Sequence, residues 1–158
     1  MTSFIVASAE RCIGCRTCEV ACALAHVTEG AEFNPRLKVQ RLDHLSVPVM
    51  CRQCENAPCV SACPVGALSA GKERIAADSS LCIGCQGCAV ACPFGAISVE
   101  VSAALPPTIV KCDLCAGRED GPACVAVCPT AALEKMSEAQ LAALQKQRKA
   151  ATADRLFL

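Results

Sequence analysis

At 158 residues the chain is long enough for one domain or two small ones, and its 15 basic and 15 acidic residues cancel, which leaves no excess of positive charge for nucleic acid. Four Phe with no Trp and no Tyr exclude an ordinary aromatic core, while 16 Cys leave only a disulfide scaffold or a metal protein. No apolar run approaches the roughly 18 residues that cross a bilayer. Residues 1–10 show no basic n-region, twin arginine or small-residue cleavage site, so the expected address is cytoplasmic, where thiols stay reduced and dense cysteines mean metal.

In chain order, Phe4 to Ser8 reads as a short strand ahead of a first cysteine set, Cys12, Cys15, Cys18 and Cys22. No proline follows Cys22, so a helix is expected from Thr17 to Val27. Leu37 to Leu42 is a second strand, and then come Cys51, Cys54, Cys59 and Cys63 with Pro64 behind them. Two apolar stretches, Ala67 to Ala70 and Arg74 to Ala77, flank a turn at Gly71-Lys72 and predict a hairpin. The third set is Cys82, Cys85, Cys88 and Cys92, where Pro93 should stop the helical turn. Ile97 to Val101 is a further strand, Pro106-Pro107 breaks a loop, and Cys112, Cys115, Cys124, Cys128 and Pro129 close the pattern. Ser137 and Gln140 form a capping box, with Met136 and Leu141 as a hydrophobic staple, and predict a helix from about Glu138 to Ala153. Its apolar positions are sparse and the chain ends Leu156-Phe157-Leu158, so it packs either on its own domain or on a partner subunit.

The first and third sets have the spacing C-x2-C-x2-C-x3-C, in which three thiolates on a tight loop reach one cubane and the fourth points to a neighbouring one. The second and fourth sets have longer internal loops, and both end in C-x3-C-P. Four zinc sites of four thiolates would also use all 16 cysteines, but zinc does not require the third closely spaced cysteine or the trailing Cys-Pro. Disulfides within loops this short would be strained. The pattern therefore favours four [4Fe-4S] clusters.

CIGCRTCEVAC and CIGCQGCAVAC match at eight of eleven positions across an offset of 70, an internal repeat. APCVSACP and GPACVAVCP are weaker counterparts, so two ancestral two-cluster units look fused. The hairpin resembles that of a bacterial ferredoxin and makes residues 51–97 one contiguous inner unit, leaving the first and fourth sets to pair around it. Spacing alone also permits sequential pairing, first set with second and third with fourth.

The order of the sets, with C-x2-C-x4-C-x3-C-P second and C-x2-C-x8-C-x3-C-P fourth, resembles the four-cluster electron-transfer subunits of molybdopterin oxidoreductases. CIGCRTCEVACALAH, CRQCENAPC and KCDLCAGREDGPACVAVCPTAAL are similar to the small soluble iron-sulfur subunits of formate dehydrogenase and formate hydrogenlyase systems. That resemblance implies one cluster on Cys12, Cys15, Cys18 and Cys128 and a second on Cys22, Cys112, Cys115 and Cys124. It implies a third on Cys51, Cys54, Cys59 and Cys92 and a fourth on Cys63, Cys82, Cys85 and Cys88. The fold expected is α+β: two pseudo-symmetric bacterial 2[4Fe-4S] ferredoxin-like units, nested in sequence within residues 1–136 (51–97 inside, 1–50 with 98–136 outside), and a C-terminal helix and tail over 137–158. The expected role is an electron-transfer subunit without substrate chemistry of its own, joining a formate dehydrogenase-like catalytic subunit to a hydrogenase, a ferredoxin or another iron-sulfur subunit. A relay for nitrate, dimethyl sulfoxide or polysulfide reduction, or an iron-sulfur accessory or maturation protein, would share the motifs. No membrane insertion and no nucleotide or nucleic-acid site is expected.

Each oxidised cluster with its thiolates carries about −2, roughly −8 for four. Arg11, Arg16, Arg52, Lys111 and Arg118 lie where a cation offsets such charge, though solvated surface cations are the plainer reading of each. His26 and His44 are superfluous as ligands because every set is complete, and Asp113, Glu119 and Asp120 read as solvated loop charges.

Overall fold

The computed structural model describes residues 3–27, 33–102 and 105–156, and its strands occur only in pairs. In chain order the elements are β1 (Ser3–Ala7), α1 (Thr17–Ala25), β2 (Leu37–Leu42), β3 (Leu45–Met50), α2 (Pro58–Ser61), β4 (Leu68–Ala70), β5 (Ile75–Ala77), α3 (Gly87–Ala91), β6 (Ile97–Glu100), β7 (Thr108–Lys111), α4 (Ala123–Ala126), β8 (Leu133–Ser137) and α5 (Glu138–Leu156). Four antiparallel ribbons result: β1 with β8, β2 with β3, β4 with β5, and β6 with β7. β1 and β8 join the two ends of the cysteine-bearing region, with Ser3 opposite Ser137 and Ala7 opposite Leu133.

Isolated two-stranded ribbons are marginal in water, so each needs an apolar face to lie on. Two clusters of buried residues supply it. One gathers Ile5, Leu37, Val39, Met50, Leu114 and Leu133 around Cys18, Cys22, Cys112 and Cys124. The other gathers Ala67, Leu68, Ile75, Ile97 and Ile109 around Cys59 and Cys88. α1 packs on α4 in the first region and α2 on α3 in the second, and both pairs carry cysteines. Cysteine thus occupies the interior positions that aromatic rings fill elsewhere.

The predicted hairpin is β4–β5, its turn closed by the Gly71 amide on the Arg74 carbonyl at 2.9 Å. β2 has the expected bounds, and α1 stops at Ala25, two residues short of the expected Val27. α3 ends at Ala91 and Pro93 lies just beyond, as proline chemistry requires. β3, β7 and β8 are additions to the sequence reading. β3 carries Pro48 opposite Val39, tolerated because a two-stranded ribbon leaves one edge of each strand without a ladder partner.

α5 begins with the capping box in place. The Ser137 amide donates to Gln140 Oε1 at 2.8 Å and the Gln140 amide to Ser137 Oγ at 3.3 Å. The helix runs three residues beyond the expected Ala153, and residues 145–155 are all exposed. Phe157 and Leu158 of the expected apolar tail lie outside the described residues. Among the described residues no helix is long and apolar enough to cross a membrane.

Candidate metal centres

The repeat seen in sequence is also a repeat of backbone. Gly14 and Gly84 have φ of 68° and 72°, and the residues preceding α1 and α3, Arg16 and Gln86, are left-handed at 60° and 58°. A Cβ at Gly14 would lie 2.7 Å from Ser46 Oγ, so both conformation and space demand glycine there. In both loops these left-handed positions fall between cysteines, ahead of the helix that follows.

Cys12, Cys15 and Cys18 line one cavity together with Cys128, beside Pro48 and Pro129. Cys22, one helical turn beyond Cys18, faces Cys112 and Cys124 instead. In the other region Cys59 lies near Cys51 and Cys92, and Cys88 near Cys63 and Cys82. Cys85 is exposed at the tip of its loop. All sixteen cysteines are free thiols.

The sulfurs are cradled by donors. The Arg36 amide reaches Cys22 Sγ at 3.3 Å, the Ala132 amide reaches Cys128 Sγ at 3.2 Å, the Leu114 amide reaches Cys112 Sγ at 3.5 Å, and Thr17 Oγ1 donates to Cys15 Sγ at 3.4 Å. Burial works upward on Cys63, but the amides of residues 65–68 outweigh it and hold the thiol below its ordinary value. Cys128 behaves the same way under the amides of Ala132, Thr130 and Leu133. This is what the Cys-Pro dipeptides achieve: proline starts a turn whose later amides point back at the sulfur. At Cys18, Cys112 and Cys124 burial dominates, pushing the first two up to about 11 and Cys124 higher still. Such sulfurs become thiolates only when a metal takes the place of the proton. Donors aimed at sulfur inside a dry interior fit iron-bound thiolates.

A family model of the 4Fe-4S dicluster domain matches residues 42–138, and one of a 4Fe-4S binding domain matches residues 9–25. The chain belongs to the 4Fe-4S dicluster family. It is 41% identical over 172 residues to the electron transport protein HydN of Escherichia coli K12, covering 97% of this chain and 98% of HydN. It is 36% identical over 183 residues to formate hydrogenlyase subunit 2 of the same organism, covering 96% of this chain and 90% of that subunit. Its match to AegA of Escherichia coli K12, 41% identical over 162 residues, spans 97% of this chain and only a quarter (25%) of AegA. These likenesses mark a ferredoxin-type protein that binds 4Fe-4S clusters and transports electrons.

Two expectations about polar residues in this dicluster protein need correction. Asp113 is not a solvated loop charge. It is half-buried, accepts Arg36 Nη1 at 2.7 Å and His26 Nε2 at 3.0 Å, and receives the Cys115 amide at 3.0 Å. Its burial raises the carboxyl pKa, yet the bonds from His26 and Arg36 win and hold it well below the usual carboxylate range. His26 Nδ1 in turn donates to the Cys22 carbonyl at 2.8 Å, with Cys22 Sγ at 3.9 Å. A carbonyl and a carboxylate can only accept, so both ring nitrogens carry hydrogen and His26 is an imidazolium. The bonds to Asp113, Cys115 and Cys22 push its pKa up to about 12. The i, i+4 spacing of Cys22 and His26, the residue that caps α1, was the signal for their contact. Glu119 and Asp120 are exposed, as expected.

The second correction concerns Lys111. Arg11, Arg16, Arg52 and Arg118 are exposed, whereas Lys111 is only 3% exposed, at the junction of the two buried regions.

Proposed function

We propose that this chain is an electron-relay subunit that holds four [4Fe-4S] clusters and carries no substrate chemistry of its own. On this reading Cys12, Cys15, Cys18 and Cys128 hold one cluster, and Cys22, Cys112, Cys115 and Cys124 a second. Cys51, Cys54, Cys59 and Cys92 hold a third, and Cys63, Cys82, Cys85 and Cys88 a fourth. Residues 51–97 are then the inner ferredoxin-like unit and residues 1–50 with 98–136 the outer one. Bound there, such clusters supply one-electron storage at potentials set by charge, hydrogen bonds to sulfur and exposure.

The observation that carries the proposal is the continuity of the thiol groups. Cys18 lies near Cys124, and Cys112 near Cys51, so on this ligation the four groups form a series. α1 links the first two through Cys18 and Cys22, and α3 links the last two through Cys88 and Cys92, whose amide donates to the Cys88 carbonyl at 3.1 Å. A store of unconnected clusters has no need of such a series; a conductor between two proteins does. The likeness to HydN and to formate hydrogenlyase subunit 2 supports a formate dehydrogenase-like molybdopterin subunit at one end. A hydrogenase, a ferredoxin or another iron-sulfur subunit would take the other end, in the cytoplasm.

Anaerobic purification followed by iron and sulfide analysis tests the cofactor, with about sixteen irons expected per chain. Cys22→Ser and Cys112→Ser should each abolish the same paramagnetic signal, and Cys12→Ser and Cys128→Ser a different one. Loss of one common signal on Cys22→Ser and Cys51→Ser would favour sequential pairing and sink this ligation. Affinity capture from anaerobic cells should recover a molybdopterin-dependent subunit.

A further inference from the structure

Lys111 lies on β7 opposite Ile97 and sends its side chain inward. Its Nζ donates to the Ile75 carbonyl at 2.7 Å and to the Cys112 carbonyl at 2.9 Å, which ties the inner hairpin to the loop of the fourth cysteine set. Gln53, 2% exposed and placed between Cys51 and Cys54, grips the same two residues. Its Nε2 donates to the Cys112 carbonyl at 2.8 Å and its Oε1 accepts the Ile75 amide at 2.9 Å. Gln53 adopts a left-handed backbone, φ 52°, a conformation that a non-glycine residue takes at a cost, so the side chain has been put there against local preference.

The clasp leaves one charge unanswered. Lys111 takes no part in the ion pairs of Arg16 with Glu19, His26 with Asp113, or Arg36 with Asp113. Asp113 lines the same cleft but is already held by His26 and Arg36, and Arg74 adds positive charge there. Carbonyl dipoles satisfy the ammonium hydrogens without neutralising them, and an ammonium buried without an anion is strongly unfavourable. The sulfur of Cys112, whose carbonyl Lys111 holds at 2.9 Å, becomes anionic once it binds metal. Cys59 and Cys112 both feel the Lys111 charge, and they belong to different thiol groups, one on each side of the junction.

We infer that Lys111, clasped alongside Gln53 onto Ile75 and Cys112, is a positioning cation shared by the two central clusters, which it keeps easier to reduce than a neutral side chain would. The inference rests on the ligation proposed above. Positive charge close to a cluster favours its reduced, more negative form, and burial keeps that charge from being screened. The same cation sits where the inner and outer regions meet, at the one junction of the proposed series that no cysteine-bearing helix spans.

The test is anaerobic potentiometric titration of the full chain, followed cluster by cluster by electron paramagnetic resonance. Lys111→Met keeps the stem and removes the charge; Lys111→Gln also keeps a donor for the two carbonyls. With iron content unchanged, the two central clusters should become at least tenfold harder to reduce, a downward shift of about 59 mV for one electron. The outer two should stay in place, and Lys111→Arg should restore the central pair. Should a variant lose iron, loss confined to the central pair supports the inference, and loss from all four overturns it. Equal shifts in all four clusters, or none in a fully loaded variant, also overturn it. Fewer than four clusters in the unsubstituted protein would defeat the ligation itself, a failure distinguishable from that of the lysine.

Discussion

Replacing Asp113 by Asn removes one charge and almost no volume, which makes it a clean probe of the network behind α1. The carboxylate accepts three N–H groups, from His26, Arg36 and the Cys115 amide. An asparagine offers one acceptor oxygen, and its amide meets one of the two cations donor to donor. Hydrogen bonds to charged groups contribute about 1.5–3 kcal/mol each when buried. Here the His26, Arg36 and Asp113 side chains are 13%, 27% and 28% exposed, so solvent screening brings each contact nearer 1 kcal/mol, and about 2–3 kcal/mol for the pair. At this chain length each kcal/mol moves the midpoint by about 2–4 °C, so Asp113→Asn should melt roughly 4–12 °C lower. The assay is anaerobic thermal unfolding of the loaded protein by visible absorbance and circular dichroism at one scan rate, since loss of metal makes the transition irreversible. Asp120→Asn, at an exposed position, is the control. Equal midpoints for the two variants would show that the network contributes nothing and that the reasoning about half-buried charge is wrong.

Ile5, 0% exposed beneath the β1–β8 ribbon, should lose about 2–5 kcal/mol as Ile5→Ala, read as a lowered midpoint, with Ile5→Val costing about 1 kcal/mol. Ser137→Ala removes half of the α5 capping box and should reduce helical ellipticity at a cost of about 1 kcal/mol, while iron content stays constant because α5 carries no cysteine. Gln86→Gly relieves a left-handed residue ahead of α3 and should raise stability by up to about 1 kcal/mol, read as a higher midpoint, once the extra freedom of glycine in the unfolded chain is counted. A lowered midpoint there would mean that the Gln86 side chain makes a contact that offsets its strain.

The cysteine loops were legible because their chemistry is local: glycine, spacing and proline fix a turn within a dozen residues. β2, the β4–β5 hairpin, the stop after α3 and the Ser137 cap are local in the same sense. β3 was hidden by Pro48, whose missing N–H argues against a strand until the partnerless edge of a two-stranded ribbon is known. β8 depends on β1, more than a hundred residues earlier, and nothing within Leu133–Ser137 announces that partner. Asp113 and Lys111 were misread for a related reason. Whether a charged residue beside a cysteine faces water or the interior is decided by what folds over it, and here the other half of the chain does.

The pairing of β1 with β8 also has a consequence for how the protein is made. β1 must wait for β8, and Ile5 precedes its ladder partner Lys135 by 130 residues (135 − 5). The β4–β5 hairpin and its flanking loops, by contrast, are all synthesised before residue 98 and can close as they emerge. A nascent chain therefore holds β1 without its ladder partner while the residues between are made, and the hairpin in their midst closes before that ribbon can.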